Sequence, residues 1–185
     1  MSEPVPDPAG PGPESRWQRL RRRWWARWLM DGALALAIFF VAMAFQGRDL
    51  IGSGQVAPDF TLPAMEGQAR ALSDMRGKKT LLVFWAPWCG VCGAESGTIS
   101  SIARSGDEGV EVLSVVLGYD GRDTVRRFMD EHEVDYPVLL GDDEIAEAYA
   151  VNKFPTLYVI DEEGRIEHAD VGYTTELGLR LRLLF

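Results

Sequence analysis

Along the chain, one long apolar block near the amino terminus gives way to short apolar runs that alternate with amphipathic stretches. Trp28 to Phe45 is eighteen residues with a single charge, Asp31, near its start. Beyond it the period shortens. Ala57–Leu62 alternates like the start of a strand, Met65–Gln68 supplies a turn before Ala69–Leu72, and Leu72–Lys78 reads as a turn or one helical turn. Thr80–Ala86 is continuously apolar, the pattern of a strand buried on both faces. A helix is expected from about Cys92 to Arg104, and Val110–Leu117 is a second buried strand. In Gly121–Glu131 the residues Val125, Phe128 and Met129 share one helical face. Tyr136–Leu140 is a short extended piece and Asp143–Ala150 a short helix. Thr156–Ile160 and Arg165–Val171 flank the turn Asp161-Glu162-Glu163-Gly164, which predicts a hairpin, and Thr174 can cap a last helix through Phe185. Alternation of strand and helix that closes in a hairpin and a helix predicts an α/β sheet with helices on both faces.

The apolar block is an address rather than part of this fold. It follows a Pro- and Gly-rich tail, residues 1–15, that has no apolar period and reads as disordered. Arg16, Arg19, Arg21, Arg22, Arg23 and Arg27 come next, and only Arg48 lies close behind the block. A span of about 20 apolar residues crosses a bilayer, and basic residues stay on the cytoplasmic side. Residues 24–45 are therefore expected to be a transmembrane signal anchor, within a segment 16–46. A linker at 47–55 and a single exported domain at 56–185 follow it. No clear small-x-small cleavage site follows the block before Gln46; Ala42-Met43-Ala44 is the one candidate. Charge agrees with this division. Residues 1–46 carry six arginines against four acids, which leaves a balance of -11 on the rest. A domain so acidic repels phosphates, so nucleic acid is not an expected partner.

The two cysteines of the chain stand together in Trp85-Ala86-Pro87-Trp88-Cys89-Gly90-Val91-Cys92. Cys89 falls where the buried strand ends and the helix begins. A thiol there meets unpaired backbone N–H groups and the positive end of the helix dipole, which lowers its pKa below the free value of about 8.5. Cys92, one turn on and more buried, can reach the Cys89 sulfur and displace a reduced product from a mixed disulfide. A purely structural bridge closing so short a loop would add little stability. A closed zinc site needs about four ligands, and no second C-x-x-C or H-x-x-H pair exists. His132 and His168 stand alone and read as a solvated helix end and a strand face. Phe154-Pro155-Thr156 is the second element: a cis bond before Pro155 would set the Phe154 backbone beside the dithiol, open to an extended substrate.

These residues resemble a thioredoxin-fold thiol–disulfide oxidoreductase of the membrane-anchored TlpA/ResA-like group. The resemblance covers about residues 56–185: Ala57-Pro58-Asp59-Phe60, Leu72-Ser73-Asp74 with Arg76-Gly77-Lys78, the dithiol motif with Glu95 three after Cys92, Phe154-Pro155-Thr156, and Asp161 to Arg165. Within the group, Arg48-Asp49-Leu50 and the ending Val171 to Arg182 resemble the copper-sensitivity suppressor D type. The resemblance implies a central mixed sheet flanked by helices, an amino-terminal β extension, an insert at about 118–141 and a cis peptide before Pro155. It implies catalytic Cys89 and Cys92, with Glu95 exchanging the Cys92 proton. The bland reading of Glu95 is an ordinary first-turn acid favoured by the helix dipole. Trp88, Phe154 and Pro155 would bind substrate. Three departures stand out: Val83 occupies the thioredoxin buried-acid position, Val91 replaces the usual proline between the cysteines, and Thr156 replaces the acidic residue of the cytochrome c maturation members.

The expected activity is reduction of disulfides in exported proteins, at the outer face of the bacterial cytoplasmic membrane. A transmembrane thiol carrier would be the electron donor, because the periplasm is kept oxidising. No cofactor beyond the Cys89–Cys92 disulfide and no metal is expected. The same dithiol could run as an oxidase or isomerase. A Cu(I) chaperone using the two thiols ranks below both, with no methionine or histidine near the motif. A peroxiredoxin is disfavoured, since Leu81 and Ala86 stand where its proline and Thr/Ser pattern would need other residues.

Overall fold

The computed structural model describes residues 28–38, 50–105 and 109–184. The chain divides into two units, 1–45 and 46–185. In the first, residues 28–38 form a helix, α1. Among the described residues no helix is long and apolar enough to cross a membrane. The remainder of the expected anchor, the tail at 1–15 and the arginine cluster lie outside the described residues.

The second unit is built on a five-stranded sheet of order β5-β4-β3-β6-β7. Its strands are β3 (Lys79–Trp85), β4 (Val110–Val116), β5 (Val138–Leu140), β6 (Thr156–Ile160) and β7 (Ile166–Val171). β3, β4 and β5 run parallel, whereas β6 and β7 run antiparallel to their neighbours. A separate pair, β1 (Thr61–Leu62) and β2 (Arg70–Ala71), forms the amino-terminal extension, followed by a 3-10 turn at Leu72–Met75. The helices are α2 (Gly90–Ser105), α3 (Arg122–Glu131), α4 (Asp143–Ala148) and α5 (Glu176–Leu184).

Alternation along β3 explains its unbroken apolar run. Leu81, Val83 and Trp85 face a core shared with Ile99 and Ile102 of α2, Val125 and Phe128 of α3, and Leu179 of α5. Leu82 and Phe84 face the opposite core, with Ile145 of α4, Tyr149, Tyr158 and Leu72. Both faces are covered, and each such side chain contributes about 1.5–3 kcal/mol on burial. Asp59 shows what the Ala57–Phe60 opening does: its Oδ1 accepts the N–H groups of Phe60 and Ser73, each at 3.0 Å. Tyr149 adds to this by donating its hydroxyl to the Pro58 carbonyl at 2.7 Å.

Helix starts fall within two residues of the expected positions. α2 begins at Gly90 rather than Cys92. α4 starts after Asp142, whose Oδ1 accepts the Ile145 N–H at 3.1 Å. The last helix is capped by Thr175, whose Oγ1 accepts the Gly178 N–H at 3.2 Å, and not by Thr174. Residues 50–55, part of the expected linker at 47–55, lie at the domain edge. Gly54 N–H donates to the Ile166 carbonyl at 2.7 Å, Ile166 N–H donates to the Gln55 carbonyl at 2.9 Å, and Leu50 and Ile51 pack on the second core.

Candidate active site

The parallel strands end on one side of the sheet, and β3 delivers the motif there. Trp85 closes the strand, its indole Nε1–H donating to Ser114 Oγ at 3.2 Å. The chain then tightens, with Cys89 N–H donating to the Ala86 carbonyl at 3.1 Å before α2 begins. Cys89 and Cys92 are joined in a disulfide, their Cα atoms 5.3 Å apart. The backbone N–H of Cys92 donates to Cys89 Sγ at 3.2 Å. This is the favourable end of the helix acting on that sulfur, the interaction expected from its position before the first turn. Cys92 is the more buried of the two, 4% exposed against 8%.

Trp88 projects beside the disulfide with 69% of its surface exposed. Its Nε1–H donates to the Gly118 carbonyl at 2.9 Å, and its ring meets Phe154 edge to face at 5.5 Å. Gly118 adopts φ +58°, and a Cβ there would lie 3.4 Å from the indole nitrogen, so glycine suits this approach. The Phe154–Pro155 peptide is cis. The Pro155 carbonyl accepts from Gly172 N–H at 2.8 Å, which ties this loop to the end of β7. Trp88 and Phe154 thus meet next to the dithiol motif, with the cis Pro155 following Phe154 in the chain.

Glu95 has no solvent exposure, which does not fit the bland reading of an ordinary first-turn acid. Its Oε1 accepts the Thr174 N–H at 2.7 Å, which ties α2 to the loop before α5. Its Oε2 has no hydrogen-bond partner. Burial pushes the Glu95 carboxyl up to about 7, the Thr174 bond opposes the shift, and the Asp170 charge adds to it. Glu95 stands one helical turn after Cys92, on the same side of α2. An acid that titrates near neutrality is suited to take up a proton and return it.

His132 is not the solvated helix end that the sequence suggested. It is half-buried at the close of α3, with its ring tilted on Phe128 at 4.4 Å. It helps to line a cavity of about 430 Å³ that also reaches Trp88, Cys89, Gly118, Arg127 and Phe128. Phe128 in turn stacks on Trp85 at 4.3 Å. The signal for this wall was present in the sequence, since His132 continues the helical face of Val125 and Phe128 past the helix end. His168 is half-buried on β7, opposite Val159.

A dithiol at a strand–helix junction, beside a cis-proline loop, on a sheet of this order defines a thioredoxin-type oxidoreductase. The chain matches the AhpC/TSA family over residues 53–169. It is 33% identical over 144 residues to the thiol-disulfide oxidoreductase ResA of Bacillus subtilis, spanning 77% of this chain and 80% of that protein. ResA of Geobacillus thermodenitrificans is 30% identical over 168 residues, spanning 90% of this chain and 95% of that protein. A Chlorobium tepidum structure assigned as thiol:disulfide interchange protein DsbE superimposes with a TM-score of 0.68 at 26% identity, over 72% of this chain and 96% of that one. The chain therefore belongs to the AhpC/TSA family and, within it, to the TlpA/ResA-like thiol–disulfide oxidoreductases, with Cys89 and Cys92 as its redox pair. Membership of this class implies disulfide-containing proteins as substrates.

Proposed function

We propose that this protein reduces disulfides of exported proteins while tethered to the outer face of the cytoplasmic membrane. The observation that carries the chemistry is the asymmetry of the pair. The Cys89 sulfur sits at the helix start with a backbone donor, and Cys92 lies deeper, one turn before a buried acid. Reduced Cys89, as thiolate, attacks one sulfur of the substrate disulfide, and the other sulfur leaves as a thiolate and takes a proton from water. Cys92 then gives its proton to the Glu95 carboxylate and attacks Cys89 Sγ. The second substrate sulfur leaves, the Cys89–Cys92 disulfide forms, and the Glu95 proton completes the second product thiol. Trp88 and the Phe154–Pro155 loop supply the platform on which an extended substrate lies.

The tether rests on the arginine cluster followed by the apolar block at 24–45, and on the exposure of Leu29, Met30, Leu34, Leu36 and Ile38 in α1. The match to Geobacillus ResA covers 90% of this chain and so runs into that block as well as the domain. An anchored reductant in an oxidising compartment draws its electrons from a transmembrane thiol carrier, and tethering raises its concentration near such a donor. Arg48-Asp49-Leu50 and the ending Val171 to Arg182 favour the copper-sensitivity suppressor D type within this group. The experiment for direction is an equilibrium titration against glutathione and dithiothreitol. A potential near or below about -270 mV supports a reductase, and a value towards about -120 mV makes the protein a disulfide donor.

A further inference from the structure

α2 is met on its cavity side by a side chain that the dithiol mechanism does not use. A Cβ placed on Gly93 would lie 2.5 Å from His132 Nε2 and 2.6 Å from Cε1. The imidazole edge therefore occupies the space that a side chain of the first turn of α2 would fill, one residue beyond Cys92. The ring is held there from behind. It tilts on Phe128 at 57°, Phe128 stacks on Trp85, and the backbone N–H of His132 donates to the Phe128 carbonyl at 3.0 Å. It opens onto the same cavity wall as Cys89 and Gly90.

We propose that His132 is a positioning residue of the redox pair: its imidazole, seated on Gly93, stabilises the Cys89 thiolate and so sets how readily the disulfide is reduced. An imidazole presents a ring N–H or, when protonated, a positive charge. Either one adds to the donors and dipole already aimed at the Cys89 sulfur. Reduction of the disulfide takes up two electrons and, with Cys89 left as thiolate, one proton on Cys92. Whatever holds that thiolate shifts the equilibrium towards the reduced pair. The other groups of this wall are Tyr119 and Asp120 from the loop after β4, and Thr124, Arg127 and Glu131 from α3. Asp120, Arg127 and Glu131 are exposed, so water screens them, whereas His132 is half-buried. Glu95 lies two residues after Gly93 and faces the other side of the helix.

The test uses the full chain in detergent, with His132→Phe and Gly93→Ala as variants. His132→Phe keeps an aromatic ring on Phe128 without a ring N–H; Gly93→Ala keeps the imidazole but forces it off the helix. Two quantities are read: the pH profile of Cys89 alkylation in the reduced protein, and the equilibrium with glutathione. In both variants the Cys89 profile is expected to move to higher pH by about threefold in thiolate fraction. The glutathione equilibrium is expected to move towards the disulfide by the same factor, about 15 mV on a scale where tenfold is about 30 mV. An unchanged profile and equilibrium in His132→Phe, with only the melting temperature altered, would overturn the proposal and leave His132 as packing. The inference rests on Cys89 being the attacking thiol. A parent protein whose Cys89 titrates like a free thiol, near about 8.5, would instead break that reading.

Discussion

The redox helix meets the rest of the domain differently on its two sides. Towards the loop before α5 the contact is closed: Glu95 is fully buried and bonded once to the Thr174 backbone. Towards α3 the contact is open, with His132, Arg127 and Trp88 around a cavity that reaches Cys89. The two cysteines divide along the same line. The closed side can hold a carboxyl near neutrality because burial opposes its charge, and that suits handling the proton of the hidden thiol Cys92. The open side lets a partner approach the outer thiol while the helix dipole and the Cys92 backbone N–H act on its sulfur. On the proposed mechanism, one helix would then serve proton transfer and substrate attack on opposite sides.

Breaking this division at the sulfurs has the largest effect. Cys89→Ser abolishes turnover, whereas Cys92→Ser leaves Cys89 able to attack and unable to resolve. Incubation of Cys92→Ser with a disulfide-containing protein is expected to accumulate a mixed disulfide on Cys89, visible as a mass increase; equal trapping by the two variants would erase the distinction between outer and inner thiol.

Glu95→Gln comes next. It keeps an acceptor for the Thr174 N–H and removes the titration, and resolution of the mixed disulfide should slow by about a hundredfold in stopped-flow kinetics. The same variant sharpens the closed side thermodynamically. The folded-state value of about 7 lies above the ordinary 4.5, so the neutral acid binds its proton more tightly in the folded protein. The associated stability is fully present below about pH 4.5 and is lost as pH rises through about 7. Denaturation of the oxidised protein should therefore show a fall of up to about 3 kcal/mol across that window. The fall should be absent from Glu95→Gln.

On the open side the effects are smaller. Trp88→Ala removes the exposed platform and should raise the KM for a protein disulfide about tenfold with little change in kcat, an effect of about 1.4 kcal/mol. Gly118→Ala forces a side chain into a positive φ beneath the indole and should cost about 1 kcal/mol of stability, read by urea denaturation.

Much of this arrangement was legible in the chain. The unbroken Thr80–Ala86 run required a strand covered on both faces, and the cysteine spacing at its end required a helix start, because both follow from local pattern. The departures came from long-range partners. Thr174 satisfies the local rule for a cap, yet the hydroxyl of Thr175 takes the Gly178 N–H, while the Thr174 N–H goes to Glu95, seventy-nine residues away in the chain. Local pattern alone makes Glu95 an ordinary first-turn acid, although the family resemblance singles it out; its burial comes from the loop before α5, whose Thr174 N–H it accepts. His132 ends a helix whose far side is visible in sequence, but its seat on Gly93 exists only because α2 and α3 pack side by side on one face of the sheet. Residues 50–55 lack any period and read as linker, although the β7 edge supplies them with backbone partners.

The most direct test of this two-sided account is alkylation of the fully reduced protein across pH, resolved for each cysteine by mass spectrometry. The account predicts that Cys89 reacts with a midpoint well below the free-thiol value of about 8.5 while Cys92 stays protected until the protein unfolds. Two cysteines that react together, both near about 8.5, would contradict it.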